Sequence, residues 1–179
     1  MKVVFLDVDG ELTYSSYRNP ETDNIDLAKI QLIKELCECT DAKVVISSSW
    51  RLNDVWYEML LQTLLSNDIE VIGKTSYIPP QCSGDVPDWI AETTLEDLPE
   101  FKIKYGTGRG AEIQQWLKEH DVDNFVILDD ENWQWTDYGY ENHWVQSSYF
   151  DGGLRRSHIQ KAIEILNNYE KVQFMQTRY

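Results

Sequence analysis

Val3-Val4-Phe5-Leu6-Asp7-Val8-Asp9-Gly10-Glu11-Leu12 is the stretch that decides the fold. A run of apolar residues ends in two carboxylates spaced i, i+2, and a glycine follows at once. Continuous apolar runs mark strands buried on both faces, the pattern of a parallel sheet. Side chains at i and i+2 share a face of a strand, so a continued strand aims both acids the same way. Gly10 permits a sharp turn just beyond them. Two acids at the end of an apolar strand are costly unless a metal ion or a reaction uses them.

Three later segments carry related chemistry. Lys43-Val44-Val45-Ile46-Ser47-Ser48-Ser49-Trp50-Arg51 is a second apolar strand, ending in hydroxyl groups. Ser48 and Ser49 are suited to cap the helix that follows and to offer N–H groups to an anion. Arg109-Gly110-Ala111-Glu112-Ile113 starts a helix to His120 with Ile113, Trp116 and Leu117 at helical spacing. Phe125-Val126-Ile127-Leu128-Asp129-Asp130 is another apolar strand ending in paired acids.

In this order the four segments resemble motifs I to IV of the haloacid dehalogenase (HAD) superfamily, over about residues 3 to 166. The combination of Ser47-Ser48-Ser49-Trp50-Arg51, Arg109-Gly110-x-Glu112-Ile113, Leu128-Asp129-Asp130 and Gly153-Leu154 looks like the HAD domain of RNA-repair and phage proteins. The resemblance implies that Asp7 is a nucleophile forming an aspartyl-phosphate, and that Asp9 is the general acid and then the base. It implies that the Ser47 hydroxyl holds a phosphoryl oxygen, beside Ser48 as a further candidate phosphate contact. Arg109, or in its place Lys102 or Lys104, would supply the motif III cation. Mg²⁺ is the implied cofactor, on Asp7, the backbone carbonyl of Asp9, and Asp129 or Asp130. Oxygen donors of this kind suit Mg²⁺. Trp50 and Arg51 are candidate substrate contacts. Many relatives carry Thr where Glu11 stands; an acid there either disfavours anionic substrates or faces solvent.

Composition bounds the rest. The 179 residues suit a single domain, 1–179, with a sizeable core. A hydrophobic fraction of 42% and seven Trp argue for a folded chain. The net charge of −15 excludes broad binding to nucleic acid or to an anionic membrane. No apolar run approaches the ~18 residues of a membrane span, and no signal peptide is visible. Cys37, Cys39 and Cys82 make no paired framework or zinc spacing. Buried or semi-buried thiols in a reducing cytoplasm are therefore expected.

Alternation of strands and helices predicts an α/β doubly wound parallel sheet of about five strands, Rossmann-like, with a minimal cap. Ligands of such sheets sit at the carboxyl ends of the strands, where the named acids and hydroxyls fall. Asp26 is expected to cap a helix to about Cys39, with Leu27, Ile30, Ile33 and Cys37 on one face. The segment Asp54 to Leu65 is apolar nearly all round, predicting a helix buried on more than one side. Ile69 to Ile72 reads as a strand, Val145 to Ser147 as a last short strand, and Ser157 as the cap of a final helix. Tyr14 to Asn24 is expected to be a flap. Residues 73–108 form a candidate small cap or lid insertion, acid-only from Cys82 to Phe101. The aromatic run Trp133, Trp135, Tyr138, Tyr140, Trp144 either covers the sheet or stacks a base, with the first reading favoured.

The expected function is a Mg²⁺-dependent phosphatase. Its substrate would be a small phosphorylated compound, such as a nucleotide, or a nucleic-acid end. The alternative is a non-catalytic HAD-like module that binds a phosphorylated ligand or partner. A phospho-accepting receiver domain does not fit, because no acceptor Asp ends the strand near Ile69 to Gly73.

Overall fold

The computed structural model describes residues 1–78 and 108–168. In chain order its elements are β1 (Lys2–Leu6), α1 (Leu27–Thr40), β2 (Lys43–Ile46), α2 (Asp54–Leu65) and β3 (Val71–Lys74). They are followed by α3 (Arg109–Glu119), β4 (Asn124–Leu128), β5 (Trp144–Val145) and α4 (Arg156–Asn167). The five strands form one parallel sheet in the order β3-β2-β1-β4-β5. The chain reverses its direction of travel across the sheet at β1 and β4, so the crevice at their carboxyl ends is the natural ligand site.

Alternation along each strand builds two apolar layers. Val4, Leu6, Val44, Ile46, Val126 and Leu128 face α1, α2 and α4, meeting Ile33, Leu60, Leu64, Ile159 and Ala162. Val3, Phe5, Val45, Phe125 and Ile127 face the other way, against Ile113, Trp116 and Leu117 of α3 and the buried Trp135 and Tyr140. Phe5 meets Trp116 edge-on at 5.5 Å. The aromatic run thus contributes to the second layer, as its structural reading expected.

Caps set the helix starts. Asp26 accepts from the Ala28 N–H at 2.8 Å. Asn53 accepts from the N–H groups of Val55 and Trp56. Ser48 caps the 3₁₀ turn Ser49–Leu52, not α2 itself.

Several expectations need correction. Helix α2 buries only Leu60 and Leu64 among its residues, and Val55, Trp56 and Leu65 are exposed. One side of that helix meets the sheet, whatever its overall apolarity. Leu27 is exposed likewise, and Leu36 takes its place in the α1 core face. Strand β3 starts two residues later than expected, because Ile69 closes the end of α2 by donating to the Leu64 carbonyl. Strand β5 is Trp144–Val145 and leaves Ser147 beyond it. Ser157 is not the cap of α4. The helix begins at Arg156, and His158 Nδ1 accepts from the Arg155 N–H at 3.2 Å. Cys37 is half-buried as expected, whereas Cys39 is exposed. Lys102, Lys104, Cys82 and most of the 73–108 insertion lie outside the described residues. No helix among the described residues is long and apolar enough to cross a membrane.

Candidate active site

The last paired row of the sheet is Lys74, Ile46, Leu6, Leu128 and Val145. One residue further on stand Thr75, Ser47, Asp7, Asp129 and Gln146. The ladder continues into that row. Asp7 N–H donates to Leu128 O, Ser47 N–H to Leu6 O, and Thr75 N–H to Ile46 O. Sheet register therefore sets Asp7 between Ser47 and Asp129. It also brings in Thr75, which the sequence reading missed. Its buried hydroxyl gives no local signal, because only the pairing of β3 with β2 shows where it stands.

Beyond Asp7 the chain turns sharply. Leu12 and Thr13 N–H both donate to Val8 O, and Gly10 has φ +85°. That left-handed conformation favours glycine. Space demands it as well, since a Cβ at Gly10 would lie 2.1 Å from Asp130 Cγ. The tight turn is thus what lets Asp130 approach. Ligand oxygens of Asp7, Asp129 and Asp130 lie within 4.8 Å of one another. Asp9 stands outside this group. Its Oδ1 accepts from Thr13 Oγ1 at 2.7 Å and its Oδ2 from Trp50 Nε1 at 2.9 Å.

Arg109, the first residue of α3, reaches back into the cluster. Its Nη1 is 2.5 Å from Asp129 Oδ2 and 3.2 Å from Asp7 Oδ1. Asp129 Oδ1 accepts in turn from Glu131 N–H and Trp133 Nε1, each at 3.0 Å. The Trp133 ring lies 4.6 Å from the Arg109 guanidinium carbon. Trp133 was grouped in sequence with the aromatic run, yet it fixes both partners of this ion pair.

Electrostatics follow from crowding. Burial would lower the pKa of Arg109, but Asp129 and Asp7 hold it above its ordinary value. Burial pushes Asp129 up to about 7 against the pull of Arg109. Burial and the charge of Asp7 push Asp130 up to about 6. The Asp9 carboxyl is also raised, first by the surrounding protein, with Thr13 drawing it back down. Asp9 is open to solvent, which limits that rise. If ionised, the three acids of the cluster and Arg109 leave two negative charges. Two carboxylates 4.8 Å apart repel by about 3 kcal/mol at an effective dielectric near ~20. The oxygen donors and the residual charge both fit one Mg²⁺ ion.

The hydroxyl of Ser47 is fully buried and finds no hydrogen-bond partner among the described residues. Thr75 Oγ1 and Arg109 Nε share that condition. Ser48 caps the next turn, accepting from the Trp50 N–H at 3.3 Å. Arg51, a candidate substrate contact from sequence, has a different place. It is 2% exposed, and its donors go to Thr75 O, Ser47 O, Ser48 O, Ser76 O and Glu112 Oε2. These bonds use all five guanidinium N–H groups. Arg51 therefore holds the hydroxyl loop from beneath, and no donor remains to meet a substrate.

Glu11 does not face solvent, so that expectation for it fails. It is fully buried, and burial raises its pKa well above the ordinary value, against the hydrogen bond from Ser147. Ser147 Oγ lies 2.5 Å from Gly10 O and 2.7 Å from Glu11 Oε1. One hydroxyl hydrogen serves one acceptor at a time, so Ser147 shares its hydrogen between the Gly10 carbonyl and the Glu11 carboxyl. The contact ties the Gly10 turn to the segment after β5. No curated protein matches the chain. The model of the HAD domain in Swiss Army Knife RNA repair proteins matches residues 3–159, and the chain belongs to that family.

Proposed function

We propose that the protein is a Mg²⁺-dependent phosphatase that hydrolyses a phosphomonoester through an aspartyl-phosphate on Asp7. The observation that carries this reading is the single row of Ser47, Asp7 and Asp129 at the strand ends, with Arg109 bonded across it. Asp7, Asp129 and Asp130, with the Asp9 carbonyl, would hold the Mg²⁺. Bound there, the ion offsets the charge of the phosphoryl oxygens and of the acids.

An oxygen of Asp7 attacks phosphorus, and the bond to the leaving oxygen breaks. Asp9 gives that oxygen its proton. Water then attacks the same phosphorus, Asp9 takes a proton from it, and phosphate leaves as Asp7 is restored. The buried Ser47 hydroxyl donates to a phosphoryl oxygen, and Arg109 balances charge from the opposite side. Positioning and charge neutralisation dominate such transfers. Family membership supports a nucleotide or a nucleic-acid end as substrate, since the family description refers to RNA repair.

Turnover of p-nitrophenyl phosphate, nucleotides and end-phosphorylated oligonucleotides tests the reading. Asp7→Asn should abolish it while leaving the circular dichroism spectrum intact. EDTA should stop the reaction and Mg²⁺ restore it. A clean Asp7→Asn preparation with wild-type turnover would rule out the covalent step. Binding of phosphorylated ligands without turnover by the wild-type protein would favour the non-catalytic alternative.

A further inference from the structure

We propose that Trp50 and Thr13 form a clamp that positions Asp9, keeping its carboxylate out of the cation cluster. The inference rests on Asp9 being the proton donor in the function proposed above. Its two oxygens are held by different elements. Thr13 Oγ1 donates to Oδ1 at 2.7 Å from the far end of the Gly10 turn. Trp50 Nε1 donates to Oδ2 at 2.9 Å from the turn after β2.

Both donors are themselves fixed. Thr13 is 5% exposed, its N–H donates to Val8 O, and its carbonyl accepts from the Gly10 N–H. Trp50 is 8% exposed and lies in the turn Ser49–Leu52, which Ser48 caps and Arg51 braces through the Ser47 and Ser48 carbonyls. Its ring also packs on Trp56, with centroids 5.6 Å apart.

The chemistry of the donors explains why the clamp suits a proton-transfer group. An indole N–H only donates and carries no charge, and a threonine hydroxyl is neutral too. Among the described residues, the guanidinium in contact with these acids is that of Arg109, and it bonds to Asp7 and Asp129 instead. The acids are thereby divided between two tasks. Asp7, Asp129 and Asp130 converge on a cation site. Asp9, two residues beyond Asp7, is held to one side by neutral donors and remains open to solvent. Without the clamp, rotation about its side-chain bonds would let Asp9 turn toward a bound cation. Trp50 is therefore assigned to Asp9 through its indole N–H.

Two measurements test this. The first needs no turnover. Trp50 gives one of the indole N–H signals in a ¹H–¹⁵N spectrum, assigned by its loss in Trp50→Phe. Asp9→Ala should move that signal by several linewidths, and an unmoved signal would overturn the proposal. The second is leaving-group sensitivity. Trp50→Phe keeps the ring and removes the donor. Its kcat should fall about tenfold on an alkyl phosphate, the equivalent of one hydrogen bond of about 1.4 kcal/mol. It should fall much less on p-nitrophenyl phosphate, whose leaving group needs no proton, and KM should hardly change. Thr13→Val should show the same contrast, and Thr13→Ser should restore wild-type behaviour, so the proposal stands or falls even if Trp50→Phe does not fold. Equal losses on both esters would overturn the clamp. A moved indole signal in a wild-type protein that turns over neither ester would support the clamp and refute the phosphatase reading.

Discussion

Gly10 and Asp130 occupy adjoining space so closely that a methyl group on the first would lie 2.1 Å from the carboxyl carbon of the second. Gly10→Ala therefore meets two penalties, a side chain at φ +85° and an overlap with Asp130. Left-handed strain and overpacking together amount to about 2–4 kcal/mol. Denaturant unfolding of the metal-free protein should show a loss of that size. Calorimetric titration should show weaker Mg²⁺ binding, because Asp130 must retreat. Unchanged stability in this variant would mean that the turn does not carry the site as described.

Arg51 and Glu112 make the deepest ion pair of the described residues, at 1% and 0% side-chain exposure and 2.5 Å. Burial lowers the Arg51 pKa and raises that of Glu112, and each partner counters the shift of the other. Breaking such a pair leaves one charge buried without compensation, at a cost of about 3–5 kcal/mol. Glu112→Met and Arg51→Met should each reach that range. The double variant Arg51→Met/Glu112→Met should lose less than the sum of the two single losses. A cycle with no coupling energy would show that Arg51 is held by its four carbonyl contacts alone.

What was legible in sequence, and what was not, divides along a physical line. The alignment of Asp7, Ser47 and Asp129 could be foreseen because each ends an apolar run, and sheet register then sets strand ends side by side. The helix starts at Asp26 and Arg109 follow from local capping and periodicity. Thr75, Trp133 and Ser147 were missed because their partners lie far away in sequence, or because aromatics close in sequence diverge in space. Arg51 was misread for a related reason. Sequence shows that a charge is present but not that five acceptors surround it. Glu11 failed likewise, since only the fold brings Ser147 against it.

The acids of the site also set a direction for pH. Asp129 rises from 3.8 to about 7, Asp130 from 3.8 to about 6, and Glu11 rises well above 4.5. Acids raised in the folded state bind protons more tightly there than in the unfolded chain. Their contribution is fully present below the unfolded values and is lost as pH rises through the folded ones. In EDTA the melting temperature should therefore fall between about pH 5 and pH 8. The net charge of −15 acts in the same direction by self-repulsion. Mg²⁺ binds the ionised acids and should flatten the fall. A metal-free melting temperature that climbs over this range would contradict the burial assigned to these groups.

Salt dependence tests how the protein grips a nucleic-acid end. A protein that neutralises Z phosphates shows a log–log slope of about −0.9Z on duplex DNA. Near the site, Arg109 and Arg51 are 4% and 2% exposed, and both are bonded to acids of the protein itself. Neither belongs to a surface track along a polyanion. With an overall charge of −15, long-range attraction for a nucleic acid is also lacking. Affinity of the Asp7→Asn protein for an end-phosphorylated oligonucleotide should therefore show a shallow slope, equivalent to about one or two phosphates. It should change little between short and long strands. Removal of the terminal phosphate should cost most of the affinity, since the contacts are concentrated at Ser47 and the cation cluster. A steep slope, or affinity that grows with strand length, would show that an extended basic track grips the strand.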